Sequence, residues 1–447
     1  MESYSGDFPR SLRHGGVRPR FSSVNYFTLD IRRPLIGSVN KQRYVGKAEK
    51  CALLSDNLSN KRLAGITCSV RSGFRPTYLE YLYLALTLPA AERITQAKSD
   101  ARAFKTRLIL LGTAGGPTYW ANTNRRSASS AVVVGDAIYV VDCGDGAGKR
   151  LQEALDPPDN LTMFSTVRAL FLTHLHSDHV VDYPNLLLYG WLSGLDRAAS
   201  AFKIFGPGRR GEMEPVFAVP ANSTNTPKVV NPRNPTPGTR DMTEHLFRAY
   251  ATDINDRIRD NGQPDLRHFV EAHDIELPPI PGFSSPNLTP HPDMQPFDIY
   301  EDERVRVSAT LVQHFPIWPA FAFRFDTDDG AVVFSGDTAP SRNLIKLTTG
   351  ANILVHEVIV SEWINRVLPE PRTAAQEAMR HHSLNAHTPV EEVGKIAEAA
   401  QVSTLVLNHI VPGNAHADDL APAQRGFSGR LVIGENLLQL GVGGIRH

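Results

Sequence analysis

The segment Thr173-His174-Leu175-His176-Ser177-Asp178-His179 places three imidazoles and one carboxylate within six residues. Nitrogen and oxygen donors of this kind are the ligands that zinc binds in proteins. In an extended loop, His174 and His176 point to one side, while Asp178 and His179 turn toward a second position. The spacing therefore predicts one loop that serves two metal ions. A polar, histidine-rich loop that holds no metal, or a single structural ion, is the alternative.

Three further candidate ligands follow apolar runs that predict strands. These are His314 after Val305–Val312, Asp337 after Ala331–Gly336, and His409 after Thr404–Asn408. Each lies where a strand is predicted to give way to a loop, which is the usual place for ligands on a sheet scaffold. Alone, each would be an ordinary histidine or a turn aspartate. Their repetition, together with the histidine cluster, predicts a dinuclear site.

The elements that must hold these residues begin near Thr106. Short apolar runs predict strands at Arg107–Leu111, Ala131–Val134, Ala137–Val141 and Val167–Leu172. Gly135-Asp136 between the second and third runs predicts a hairpin, and a helix is expected to follow as far as about Leu155. The fourth run leads directly into the histidine loop.

On these residues the chain resembles the metallo-β-lactamase fold superfamily over residues 106–447, about three-quarters of its length. The motifs are the His-x-His-x-Asp-His loop, His314, Ser335-Gly336-Asp337-Thr338 and His409. The resemblance implies an α/β fold, a four-layer αβ/βα sandwich with two zinc ions at one edge. Residues 1–105 are then an N-terminal extension, and residues 206–300 an insertion in the hydrolase domain.

The resemblance also implies how the seven ligands divide between the two zinc ions. It places His174, His176 and His314 on the first ion, and Asp178, His179 and His409 on the second, with Asp337 bridging. Two zinc ions lower the pKa of a bridging water to about neutral, which supplies a hydroxide nucleophile. The complete ligand set predicts hydrolysis and argues against a non-catalytic zinc-binding relative.

Within the superfamily, the chain is similar to the branch that holds tRNA 3′-processing endonucleases (tRNase Z) and zinc-dependent arylsulfatases and phosphodiesterases. The turn Leu110–Pro117, the turn Asp142-Cys143-Gly144, Val355-His356-Glu357 and His387-Thr388 have that branch's form. The resemblance implies catalytic roles for Asp178, which is also a ligand, for His387 and for Glu357 as the carboxylate that orients His387.

From the residues alone, His387 precedes a predicted helix at Pro389–Ala400, where a donor could serve a developing anion or a leaving oxygen. A plain capping-region histidine is the alternative, and His381 and His382 compete for the same role. Glu357 could equally be a solvated residue after a strand. His356 could be a residue that supports the ligands or a structural histidine.

The substrate is predicted from the positions at which the sequence differs from the tRNA 3′-processing endonucleases. The insertion 206–300 holds 14 of the 32 prolines between Pro215 and Pro296 but only one lysine, Lys228, whereas a tRNA nuclease is expected to carry a basic arm that binds phosphates. Asp145–Gly148 and Ile410–Gly413 also depart from the tRNA enzymes. We therefore expect a small-molecule sulfate ester, phosphodiester or related ester, with a tRNA endoribonuclease, a lactonase or a β-lactam hydrolase as alternatives. The aromatic residues Phe315, Trp318 and Phe321 could line a pocket or belong to the core.

Composition limits the partners. Lys plus Arg and Asp plus Glu both total 47, so no global field directs the chain to nucleic acid or a membrane. Three cysteines exclude a disulfide framework, and no apolar run is long enough to span a membrane. The Pro-rich range could cover the mouth of the site or a partner subunit, as in a homodimer. A signal-like segment near residues 71–91 leaves both cytoplasmic and exported locations open.

Overall fold

Fourteen strands and ten helices form the part of the chain that the computed structural model describes, residues 101–157, 159–216 and 227–443. The strands are β1 Thr106–Gly112, β2 Ser129–Val134, β3 Ala137–Val141, β4 Val167–Phe171, β5 Phe202–Pro207, β6 Val270–Ile275, β7 Phe297–Glu301, β8 Arg306–Leu311, β9 Phe321–Thr327, β10 Gly330–Phe334, β11 Ile353–Ile359, β12 Thr404–Val411, β13 Arg430–Ile433 and β14 Gln439–Gly441. The strands predicted from apolar runs are all present, with ends that differ by at most three residues.

The helices connect and cover these strands. They are α1 Ala147–Leu155, α2 Ser177–Val180, α3 Tyr183–Leu192, α4 Thr239–Ala249, α5 Ala251–Arg259, α6 Arg342–Thr348, α7 Ser361–Val367, α8 Ala374–Asn385, α9 Val390–Ala399 and α10 Ala417–Leu420. The predicted helix Pro389–Ala400 is α9, which Pro389 precedes as its N-cap residue. Among the described residues, no helix has the length and apolar content needed to cross a bilayer.

The strands form two seven-stranded mixed sheets with mirrored layouts. The first sheet has the order β14-β1-β2-β3-β4-β5-β6, and the second has the order β13-β12-β11-β10-β9-β8-β7. Strands β3 to β6 pair in parallel in the first sheet, as do β10 to β13 in the second. Ligand sites in such sheets lie beyond the carboxyl ends of the parallel strands. The loops after β3, β4, β10 and β11 therefore belong to the functional edge.

The two sheets pack face to face, and helices cover their outer faces. The layer between the sheets contains Tyr139 and Phe171 of the first sheet against Phe323 and Phe325 of the second. Helices α1 and α3 cover the outer face of the first sheet, and α6 and α9 cover that of the second. Because both faces are covered, β2 and β11 are buried at every position. This is the predicted four-layer αβ/βα sandwich.

Residues 206–300, predicted as an insertion, contribute one strand to each sheet. Strand β6 pairs in parallel with β5, and β7 pairs antiparallel with β8. The range also contains the two helices α4 and α5. The range is therefore partly scaffold, because its two strands complete the edges of the sandwich.

The N-terminal predictions fall mostly outside the described residues. The signal-like segment near residues 71–91 lies there entirely, as does the extension 1–105 except for its last five residues. The described residues all belong to one compact unit, Tyr78–His447. The domain boundary at residue 105 stays a prediction.

Phe325→Ala should lower the free energy of unfolding by about 3–5 kcal/mol, because it removes a fully buried ring from the layer between the sheets. The Phe325 ring lies 5.2 Å from Phe171 and 5.6 Å from Phe334, centroid to centroid, so no neighbour can fill the space without moving. Urea denaturation measures the change. Tyr189→Ala, at a ring that is 70% exposed, is the control and should change stability by no more than about 0.5 kcal/mol. Equal losses in the two variants would contradict the assigned core.

Candidate metal centre

The structure brings all seven predicted ligands together at one edge of the sandwich. Strand β4 ends at Phe171, and the loop that follows carries His174 and His176 before the short helix α2 turns Asp178 and His179 inward. Three groups result, each with one ligand atom per residue within 4.8 Å of the others: His174, His176, His314 and Asp337 in the first, Asp178, His179 and His409 in the second, and Asp337, His387 and His409 in a third that shares residues with the other two. The first two groups contain the residues that the family resemblance assigns to the two ions.

In the first group, ring nitrogens converge on a common point. Nδ1 of His176 lies 3.0 Å from Nε2 of His174 and 3.3 Å from Nε2 of His314. On the opposite side of its ring, Nδ1 of His314 donates a hydrogen bond to the Ala386 carbonyl at 3.0 Å. This bond fixes the tautomer and leaves Nε2 unprotonated and directed at the group, as ligation requires.

The Asp337 carboxylate lies between the two groups. Its oxygens are 3.2 Å from Nε2 of His409, 3.3 Å from Nε2 of His179 and 3.8 Å from Nε2 of His174. Burial would raise the pKa of Asp337, but His409 and His179 hold it well below its ordinary value. Asp337 is therefore an anion at neutral pH, placed to contact both groups.

Burial also controls the charge of the histidines. It lowers the pKa of His174 and His314 well below the ordinary value, so both rings are neutral. At His179 burial opposes protonation, but Asp337 and Asp142 outweigh it and raise the pKa. A metal ligand must be a neutral imidazole, so metal binding at His179 would release a proton.

The donor atoms fit divalent cations. Nε2 of His179 and Oδ1 of Asp337 are buried, lie 3.3 Å apart and have no hydrogen-bond partner among the described residues. Buried polar atoms in native proteins nearly always have a partner, so two such atoms facing each other call for a cation between them. Imidazole and carboxylate donors suit zinc, and also iron or manganese.

Asp142 is a further candidate residue of the site, one that the sequence did not identify. It lies directly after β3, and its Oδ2 accepts a hydrogen bond from Nδ1 of His179 at 2.9 Å. The same carboxylate accepts hydrogen bonds from the backbone N–H and the hydroxyl of Thr173. It therefore connects the ends of β3 and β4 and directs Nε2 of His179 toward Asp337. Its position after an apolar strand, like that of Asp337, was the available signal.

His409 corrects one prediction. It lies inside β12 rather than after the end of a strand, at an irregularity in the pairing of β12 with β11, and its φ is +39°. Positive φ is rare for a residue other than glycine and is typical of functional sites. The bulge turns the His409 ring toward Asp178, 3.2 Å away.

The turn after β1 fits closely around His409. A Cβ at Gly115 would lie 2.5 Å from two atoms of the His409 ring, so only glycine can occupy this position without displacing the ring. The next residue, Gly116, donates its backbone N–H to Oδ2 of Asp178 at 2.8 Å. The glycines of this turn thus hold two candidate ligands in place.

His387 and Glu357 form a pair beside the metal groups. Nδ1 of His387 lies 3.4 Å from Oε1 of Glu357 and 3.9 Å from Oδ2 of Asp337. Oε1 of Glu357 also accepts hydrogen bonds from the backbone N–H groups of Thr338 and Thr388. Glu357 lies within β11 and is buried, so the alternative of a solvated acid is wrong.

The charge of His387 follows from its neighbours. Burial opposes protonation, but Glu357, followed by Asp337 and Asp178, outweighs it and raises the pKa to about 9. His387 is therefore protonated at neutral pH. An imidazolium that faces the metal groups can donate a proton or a hydrogen bond to an oxygen that gains negative charge.

The competing histidines occupy different places. The His382 ring lies 5.8 Å from that of His387, and burial lowers its pKa to about 4, with His387 and His176 acting in the same direction. His356 is fully buried, and its Nδ1 lies 2.7 Å from the Glu357 carbonyl oxygen. His356 points away from the metal groups, since Glu357, the next residue of the strand, faces them.

The aromatic residues near His314 divide between core and cavity. Phe321 is fully buried in the core, and Trp318 packs against the core and stacks on Phe283. Phe315 lines an open cavity beside His314. The pocket prediction therefore holds for one of the three residues.

Asp142→Asn should weaken metal binding about 10–100-fold, because an amide nitrogen would face donors that need an acceptor and His179 would lose its orientation. Metal dissociation constants from competition with a chromophoric chelator measure the effect. Asp145→Asn provides a control with the same chemical change, at an exposed carboxylate paired with Arg126. If Asp142→Asn bound metal as the unaltered protein does, Asp142 would have no part in holding His179.

Comparisons with known proteins support one family. Residues 123–235 match the metallo-β-lactamase superfamily. The chain is 28% identical to the ribonuclease Z of Mycobacterium bovis (strain BCG / Pasteur 1173P2) over 333 residues, which are 74% of this chain and 96% of that protein. It is 29% identical to the ribonuclease Z of Mycobacterium avium (strain 104), with the same shares of the two chains.

Solved structures give weaker likenesses. Human tRNase Z, short form, aligns with a TM-score of 0.46 at 15% identity, over 75% of this chain and 99% of that one. The metallo-β-lactamase fold protein YhfI of Bacillus subtilis aligns with a TM-score of 0.45 at 15% identity, over 75% and 98%. Together, the sequence matches and the four-layer fold around a cluster of candidate ligands show that the chain contains a metallo-β-lactamase domain, matched over residues 123–235, and that it is a metal-dependent hydrolase.

Proposed function

We propose that the protein hydrolyses phosphodiester bonds at a two-metal centre, with RNA as the first substrate class. The observation that carries the chemistry is the convergence of seven candidate ligands on the Asp337 carboxylate, with the His387–Glu357 pair beside it. The relatives named ribonuclease Z, which this chain matches over 96% of their length, support RNA over the small-molecule ester expected from the sequence.

The proposed ligands are those of the two groups. His174, His176 and His314 would hold one ion, and Asp178, His179 and His409 the other, with Asp337 shared between them. We propose zinc for both, because histidine and carboxylate donors suit it. Two such ions supply Lewis acidity and activate water near neutral pH.

The chain's own residues position and protonate the substrate. Glu357 is held by the backbone N–H groups of Thr338 and Thr388, so its carboxylate cannot swing away from His387. The protonated His387 would donate its proton to the oxygen that leaves when the ester bond breaks. Because Glu357 is buried, its charge acts on His387 with little screening by water.

A small-molecule ester, such as a sulfate ester, is the second candidate, and the charges of residues 206–300 favour it. Four of the eight arginines of this range form ion pairs with acids: Arg209 with Asp241 at 2.7 Å, Arg248 with Glu244 at 3.0 Å, Arg257 with Asp253 at 3.1 Å, and Arg267 with Asp265 at 2.6 Å. An ion-paired guanidinium is less available to a phosphate. An RNA enzyme would need free cations along the path of the backbone.

Initial rates on three substrates test the function: a tRNA precursor with a 3′ extension, bis(p-nitrophenyl) phosphate and p-nitrophenyl sulfate. Each is measured on zinc-loaded protein with and without chelator. We expect chelator-sensitive cleavage of the precursor and of the phosphodiester, with RNA cleavage falling steeply as salt rises. Turnover of the sulfate without RNA cleavage would replace RNA with the second candidate. Bound zinc with no turnover of any ester would overturn the proposal of a hydrolase.

His176→Ala and His387→Ala should separate metal binding from proton donation. His176→Ala removes a ligand, so bound zinc and activity should fall together. His387→Ala should keep its zinc and lose about 100-fold or more in kcat, since general acid catalysis contributes on this scale. Zinc is counted by plasma mass spectrometry on the same samples. Full activity in His387→Ala would remove that residue from the mechanism, and full zinc content in His176→Ala would contradict the ligand assignment.

A further inference from the structure

A cavity of about 950 Å³ opens beside the candidate metal centre. Its walls come from helix α8, from residues 288–291 and from residues 313–316. Cavities of 300–1,000 Å³ are typical of small-molecule binding sites. This space is therefore large enough for one ring system of a substrate together with water.

The cavity borders the first ligand group. His382 lines it, and the His382 ring lies 5.5 Å from that of His314 and 6.1 Å from that of His176, centroid to centroid. Phe315 follows the ligand His314 directly and forms part of the wall. The end of α8 contacts His314 directly, because the Ala386 carbonyl accepts the hydrogen bond from Nδ1 of His314. A group bonded to an ester at the metal centre can thus extend into the cavity.

The walls suit an uncharged, flat group. Helix α8 contributes Ala374 and Ala378, which are one turn apart and leave space above the helix, while Phe315 and Pro316 face them with apolar surface. No residue of α8 is buried, as expected for a helix that faces a cavity rather than the core. Among the described residues that line the cavity, Glu377 is the one carboxylate, and lysine and arginine are absent. The walls therefore offer apolar contact rather than phosphate binding.

We propose that this cavity binds the planar aromatic group bonded to the scissile ester, while the metal centre binds the ester's anionic oxygens. The inference rests on the proposed function, since it names the substrate group that the same site recognises. Two sources share this chemistry: the base of a nucleotide and the aryl group of a small-molecule ester. In either case the affinity for the aromatic group comes from the α8 face and residues 315–316, and the affinity for the anion from the ligands.

Direct binding tests the proposal without turnover. Isothermal titration calorimetry on the full-length, zinc-loaded protein compares phenylphosphonate with methylphosphonate, which share the anion and differ in the ring. We expect phenylphosphonate to bind at least tenfold more tightly. In Ala378→Trp, whose indole fills the cavity, this ratio should fall to about one with the methylphosphonate Kd unchanged. Ala375→Trp, the same change at an exposed position of α8 outside the cavity lining, should keep the full ratio.

A second variant and two further ligands complete the binding experiment. Ala374→Trp, at an exposed lining position, repeats the test should Ala378→Trp fail to fold. Uridine 3′-monophosphate and phenyl phosphate distinguish the two sources, since the physiological group is the one whose binding Ala378→Trp weakens more. Equal binding of the two phosphonates by the unaltered protein, or no binding of phenylphosphonate, overturns the proposal. A retained preference for the ring with no phosphodiester turnover would instead contradict the proposed function and leave the pocket standing.

Discussion

The structure depends on one buried carboxylate, that of Asp337, surrounded by imidazole rings. Its oxygens lie within 4 Å of ring nitrogens of five histidines, and the residue is buried. Burying a charge is costly unless partners compensate it, and the neutral rings of His174 and His314 compensate it only in part. Divalent cations between these atoms would complete the compensation. Metal binding should therefore stabilise the folded state as well as enable the chemistry.

Neither sheet can build this centre alone. The first sheet supplies the histidine loop and Asp142, and the second supplies His314, Asp337, Glu357 and His409. Backbone hydrogen bonds join the two halves at this edge: Gly115 N–H to the Ile410 carbonyl, Ile410 N–H to the Thr113 carbonyl, and Phe321 N–H to the Thr173 carbonyl. The relative position of the ligands is thus set by main-chain contacts between the sheets, which side-chain substitutions leave largely intact.

Hydrolysis and substrate choice reside in different parts of the molecule. In the proposed function, the ligands and the His387–Glu357 pair would act on any anionic ester, because they would contact only the reacting group. Selection must come from surfaces that contact the rest of the substrate, which here are the apolar cavity against α8 and the ion-paired face of residues 206–300. The similarity to ribonuclease Z enzymes favours RNA, whereas the ion pairing of four arginines on this face favours a small-molecule ester. The cavity suits the ring that both substrates would carry.

The sequence by itself determined the features that depend on residues close together in the chain, namely individual strands and the histidine loop. Apolar runs predicted seven of the fourteen described strands, and the histidine loop was recognisable because four candidate ligands lie within six residues. The resemblance to a known superfamily supplied the division of the ligands between two ions, and the structure groups them in the same way.

Tertiary structure alone decided the contacts between distant segments. Asp142 acts on His179 across 37 positions, His409 reaches Asp178 through a bulge in β12, and Glu357 is buried because α9 and β10 cover its strand. The cavity is formed by segments that are separated along the chain by up to about 90 residues. Local patterns specify whether a segment is a helix or a strand, but strand register and the packing of the two sheets decide which side chains meet. Register and packing depend on the whole folded chain, so no single stretch of sequence specifies them.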